Sequence, residues 1–215
     1  MKSPPVLIYV ILGVILLPLS VSQDWQTQAE ILRDCVLLVW AVSVVNLLYL
    51  NGALNHVLGI KPRQLFGLVG IVFAPLLHTG FSHLISNTVP FMLLSWLVML
   101  RSADLFFAIS VWIMTVGGLG TWLIGRDRNH IGASSVVFGY LGYLIAVGYI
   151  ETTLIAILTT LAVLFLYGNR LGTMLPSSQT SAISWEGHLF GFLSGAFAAY
   201  QPNLLGQVNL WLSQL

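Results

Sequence analysis

Seven long apolar runs follow one another along this 215-residue chain, and none carries enough charge to face water. In a bilayer the backbone must satisfy its own hydrogen bonds, so runs of this length are read as helices that cross or enter the membrane. The charge content removes the soluble alternative: 7% of residues are charged, against roughly 25% in a typical soluble domain. Hydrophobic residues make up 57% and the mean hydropathy is +0.91, so too little polar surface exists to cover a globule in water. Eight Lys and Arg, set singly or in pairs, leave a net charge of +1. They do not form the phosphate-binding clusters on which nucleic-acid affinity rests, which excludes that class of partner. The one cysteine, Cys35, lies inside an apolar run and can form neither an internal disulfide nor a thiolate metal cluster.

The first run, about Pro5 to Ser22, reads as an extra spanning helix or signal anchor (residues 1–30), ahead of the reading as a signal peptide cleaved near Ser22. Six runs then form a core domain, residues 31–202: about Cys35 to Leu54, Phe81 to Leu100, Asp104 to Ile124, Gly132 to Ile150, Thr152 to Tyr167 and Ile183 to Tyr200. The connection from Asn55 to His78 is apolar but broken by Gly59, Pro62, Gly67, Gly70 and Pro75. It is expected to be a re-entrant or interfacial segment packed on protein. Only Glu151 separates the fourth core run from the fifth, which requires an antiparallel hairpin there. A polar loop from Asn169 to Ala182 precedes the sixth run, and residues 203–215 read as a tail. The expected fold is an all-α membrane protein: a six-helix transmembrane bundle with an additional N-terminal hydrophobic helix.

The informative residues are polar ones that lipid should not tolerate, since such groups in spanning segments are costly and mark function. The second core run opens with His78, His83 and Asn87, the fourth with Gly132-Ala133-Ser134-Ser135, and the sixth with Ser184-Trp185-Glu186-Gly187-His188. Spanning helices alternate direction, so the even-numbered runs start on the same side of the membrane. At about 1.5 Å per residue, Ser134, His188, His83 and Asn87 differ in depth by only a few ångström. His83 and Asn87, four apart, share a helical face. A serine hydroxyl needs a base to take its proton, and imidazole is suited to that near neutral pH. A helix N-terminus supplies free backbone N–H groups for a developing oxyanion, and His83 and Asn87 could add two side-chain donors. Ser134 as nucleophile, His188 as base and His83 with Asn87 as oxyanion donors thus form a serine-protease set without a carboxylate. No cofactor is required.

Each residue alone has a plainer role. Serine in a Gly-Ala-Ser run is ordinarily a small packing residue, and a lone His or Asn bonds between helices. Their joint placement on three same-side helix starts argues against that. A zinc site of His78, His83 and His188 is disfavoured, because the spacing of the first two turns them apart on a helix and no acidic ligand set lies nearby. Glu186 sits on another helical face from His188 and is not a triad acid. His56 and His130 lie in connections and read as solvated or interfacial. Gly139 and Gly142, with Gly191 and Gly195, mark faces for close helix contact that would bring Ser134 to His188. A small transporter with a histidine proton relay would need further mid-membrane charges, and the sequence shows none.

These motifs resemble the rhomboid family. His78, His83 and Asn87 match its His-x4-His-x3-Asn run, Gly132-Ala133-Ser134 with Gly139 and Gly142 match its nucleophile helix, and His188 with Gly191 and Gly195 matches its last helix. The resemblance spans about Cys35 to Tyr200. It implies an intramembrane serine endopeptidase that cleaves transmembrane protein substrates, multi-pass in a bacterial plasma or inner membrane. The stretch from Asn55 to His78 would lie partly in the outer leaflet, and the loop before the last helix would cap the site. A non-catalytic, client-binding member is the alternative, and such members typically lack the serine or histidine. Ser135 replaces the family's glycine after the nucleophile, and the first long loop has no Trp-Arg pair. Family orientation would leave Arg33 and Arg101 inside and Lys61, Arg63, Arg126, Arg128 and Arg170 outside, the reverse of the positive-inside preference.

Overall fold

The structure is a computed structural model, in which residues 25–176 and 183–214 are described. The extra helix expected at the N-terminus lies outside those residues. Within them the chain is helical, and the only extended pairing is an isolated antiparallel bridge between Ile60 and His130.

Eight helices are numbered here in chain order. α1 (Trp25–Leu48) includes the ten residues ahead of the apolar run that announces it, because the polar turn around Glu30 and Arg33 simply continues the helix. A short α2 (Ala53–Leu58) follows. α3 is Phe81–Ser102 and α4 is Ala103–Ile124. α5 (Ser134–Glu151) and α6 (Leu154–Tyr167) form the hairpin. α7 (Trp185–Ala199) and α8 (Pro202–Leu212) complete the chain, and α8 buries Leu205 where a tail was expected. Among the described residues, five helical stretches are long and apolar enough to cross a membrane: α1, α3, α4, α5, and α6 with its following turn to Met174. α7 has 15 residues, about 22 Å at 1.5 Å each, and so is shorter than the sixth run implied.

The connection from α2 to α3 doubles back on itself as short helical turns, Leu65–Val69, Gly70–Phe73 and Ala74–Leu76. Its glycines let it fold this tightly: a Cβ at Gly67 would strike the Lys61 backbone, and one at Gly70 would strike the Gly59–Ile60 peptide. Leu65, Phe66, Val72 and Phe73 stay exposed. An apolar segment with packed backbone and outward side chains fits the expected re-entrant reading.

α5 is the centre of the bundle: 67% of its span is buried, against 17% for α1 and for α6 with its turn. A helix apolar all round belongs in such a position. Its hairpin to α6 closes through Thr152, left-handed at φ 47°, and Thr153, whose side chain accepts a bond from the Ala156 N–H at 3.2 Å. Thr160 of α6 then donates to the Leu144 carbonyl of α5 at 3.1 Å. An ion pair between Arg101 and Glu151 ties this end of α5 to the end of α3. Midway along α4 a π turn, Ile113–Gly117, accompanies a Thr115 hydroxyl that donates to the Val111 carbonyl at 2.7 Å. The turn presents Gly117 to α7, where a Cβ would lie 3.2 Å from the Gly191 Cα.

Candidate active site

The parity of the even-numbered runs becomes geometry at one end of the bundle, where α3, α5 and α7 all begin. His83, Asn87, Ser134 and His188 line one cavity of about 720 Å³, together with Ser86, Phe138 and Thr173. His78 does not line it; it belongs to the fully buried packing behind α3.

Each element has a local reason to stop or start there. Gly132 stands at φ 109°, a region that favours glycine, so the helix begins at Ser134 and not at Gly132 as the apolar run implied. A Cβ on Gly132 would fall 2.8 Å from His83 Cε1 and 3.6 Å from Asn87 Nδ2. The absence of a side chain therefore seats the approach to Ser134 directly against the two α3 side chains. The Gly132 N–H is spent on the Ala74 carbonyl at 2.9 Å, which holds this loop to the connection between α2 and α3. α7 begins at Trp185 because the Ser184 side chain accepts the Gly187 N–H at 3.2 Å.

α5 and α7 meet backbone to backbone. Gly191 abuts the Ser135 peptide, Gly195 abuts the Gly139 carbonyl, and Gly142 abuts the Phe192 carbonyl. The expected glycine faces do meet, with one refinement: the Cβ direction of Gly139 points at Ile113 of α4, so three helices crowd this residue. Ser134 faces the cavity, whereas Ser135 packs toward α7, where Cβ atoms at Ser135 and Gly187 would stand 3.9 Å apart.

His188 is 8% exposed and lies flat on Phe138, ring centroids 4.1 Å apart and planes 11° from parallel. Its Nδ1 is 2.9 Å from the Thr173 hydroxyl. Among the described residues no hydrogen bond joins His188 to Ser134, although both line the cavity. Asn87 is 8% exposed, and its Nδ2 is a buried donor with no hydrogen-bond partner among the described residues. His83 Nδ1 lies 3.2 Å from the Thr79 hydroxyl. The Ser43 hydroxyl donates to the Leu76 carbonyl at 2.9 Å, so at 3.0 Å it accepts from His78 Nδ1–H, and the His78 ring stands edge-on to His83 at 5.0 Å. Among the described residues no group of three His, Cys, Asp or Glu side chains could hold a metal ion.

Three features were not legible beforehand. Glu186 is fully buried and paired with Arg126 through Nε at 2.5 Å and Nη2 at 3.1 Å, and it also accepts the Arg126 backbone N–H at 3.0 Å. His130, expected at an interface, is 4% exposed: its backbone bridges Ile60 in both directions, Nδ1 meets the Ser184 hydroxyl at 2.6 Å and Nε2–H donates to the Arg126 carbonyl at 3.1 Å. Burial pushes the His130 imidazole below its ordinary range, which keeps it neutral. Four residues before Ser134 is thus joined to four residues before His188, and the two helix starts are stapled together. Thr173 is the third, contributed by a segment that shows no motif of its own.

The family model described as Rhomboid domain matches residues 64–201. Rv1337, an uncharacterized protein of Mycobacterium tuberculosis, is 38% identical over 183 residues, covering 82% of this chain and 75% of that protein. An uncharacterized protein of Mycobacterium leprae, ML1171, is 33% identical over 183 residues, covering 82% and 72%. No solved structure matches.

Proposed function

The chain belongs to the rhomboid family of membrane proteins, and from that premise we propose that it is an intramembrane serine endopeptidase working through Ser134 and His188. The observation that carries this reading is the convergence of the polar side chains of Ser134, His188, His83 and Asn87 on one cavity inside an otherwise apolar bundle. Polar groups are gathered there at a cost in lipid, and a reaction accounts for it.

The Ser134 hydroxyl attacks the carbonyl carbon of a scissile peptide bond, and its proton passes to His188 Nε2. The resulting oxyanion is held by the Asn87 amide, the His83 imidazole and the Ser134 backbone N–H at the start of α5. Collapse expels the amine, which takes the proton from His188. Water then enters, gives its proton to His188 and attacks the acyl-serine, and the new carboxyl terminus leaves with Ser134 restored. The substrate is a transmembrane segment of another protein, unwound enough to reach the cavity from the bilayer. A short closing motion must bring the Ser134 hydroxyl and the His188 ring together, as catalytic bonds often tighten only once substrate is bound.

Purified protein should be labelled by a fluorophosphonate probe and should cut a model transmembrane substrate. Ser134→Ala and His188→Ala should each abolish both, and Ser135→Ala should abolish neither. Labelling that survives Ser134→Ala and disappears in Ser135→Ala would reassign the nucleophile. A wild-type protein inert to the probe would instead favour the client-binding, non-catalytic reading.

A further inference from the structure

A hydroxyl group has one hydrogen to give. The Thr173 hydroxyl gives it to the Arg170 carbonyl, 2.7 Å away within the same turn. Toward His188 Nδ1, at 2.9 Å, the Thr173 oxygen can then only accept, so Nδ1 must carry the proton. A neutral imidazole protonated at Nδ1 keeps its lone pair on Nε2. Phe138 stacks on the ring at 4.1 Å and holds its plane. One edge of the ring is therefore tied, one face is covered, and Nε2 is the nitrogen left for the cavity that Ser134 also lines.

We infer that Thr173 is a positioning residue, which holds His188 in the tautomer whose Nε2 can accept the Ser134 proton. It takes the orienting part that a carboxylate plays where a serine–histidine pair has a third member. The inference rests on the proposed role of His188 as base. The partner is not carried by α3, α5 or α7. It sits in the turn Gly168–Met174 after α6, none of whose residues is fully buried, so the orientation of the base depends on a segment outside those three helices. A neutral hydroxyl leaves the imidazolium of the transition state less stabilised than a carboxylate would.

The test uses the full-length protein in lipid nanodiscs, as wild type, Thr173→Val, which keeps the shape without the acceptor, and Thr173→Ser, which keeps the acceptor. Fluorophosphonate labelling rates should fall about tenfold in Thr173→Val, the order expected for losing one hydrogen bond to the base, and return to within about twofold of wild type in Thr173→Ser. The imidazole 15N shifts of His188 should report Nδ1–H in wild type and in Thr173→Ser, and a mixture with Nε2–H in Thr173→Val. Equal labelling of wild type and Thr173→Val, or Nε2–H in the wild-type spectrum, would overturn the inference. A wild type that is never labelled would refute the protease reading, and the 15N shifts would still decide whether Thr173 sets the tautomer.

Discussion

Asn87 is the residue whose position is hardest to explain by packing. Leaving a buried amide donor unpaired costs about 1–3 kcal/mol, and its Nδ2 has no partner among the described residues. A donor left unpaired at a cavity wall fits the proposed reaction, in which negative charge develops there. Asn87→Ala is expected to lower kcat on a transmembrane substrate by about 10²-fold, in the range for losing one oxyanion donor, with KM little changed. Its thermal midpoint should not fall, since no native hydrogen bond of Nδ2 is removed; kinetics beside a melting curve checks both. Ser134, His188, His83 and Asn87 were legible in the sequence because each is a polar group where lipid demands none. Thr173, Phe138 and His130 were not. Their roles lie in what they touch, 15 residues away for Thr173 to His188 and 54 for His130 to Ser184, and a side chain in a polar loop looks ordinary until its partner is placed.

At the scale of elements, the interface between α5 and α7 sets the distance between Ser134 and His188. No apolar driving force presses helices together in lipid, so close backbone approach has to supply the attraction through packing. Gly195→Ala puts a methyl group into the Gly139 carbonyl and is expected to destabilise the protein by about 1–3 kcal/mol, as overpacking does, with slower fluorophosphonate labelling. Gly206→Ala in α8, with nothing within 4 Å of the added carbon, is the control: helix propensity should hold or slightly raise its thermal midpoint, and labelling should stay unchanged. Hydropathy located every helix described here from α3 to α7 but misplaced ends, for identifiable reasons. It detects only the part of a helix that lipid solvates, so α1 gained its polar first turns at Trp25. It is blind to backbone sign, so the start of α5 moved from Gly132 to Ser134, where φ returns to helical values. The π turn in α4 left no trace in composition, since one extra residue per turn does not alter an apolar run.

For the whole molecule, the unresolved conflict between charge counting and family orientation becomes an experiment. The loop at Asp127 and the hairpin at Glu151 bracket α5, so they must lie on opposite sides of the membrane. With Cys35→Ser as background, a cysteine introduced at residue 127 should react with a membrane-impermeant maleimide added to intact cells, and one at residue 151 only after permeabilisation. The reverse pattern would place the cavity toward the cytoplasm. Arg126, one of the cations in that count, has its guanidinium committed to Glu186 and to the Ile183 carbonyl. The central place of α5 has one more consequence. Helices that border lipid, α1 and α6 above all, must tilt or stretch their surroundings when membrane thickness changes, whereas α5 has protein on nearly every side. Elastic stress from the host membrane is thus absorbed at the rim of the bundle, and the depth of Ser134 is referenced to its protein neighbours, not to the lipid around them.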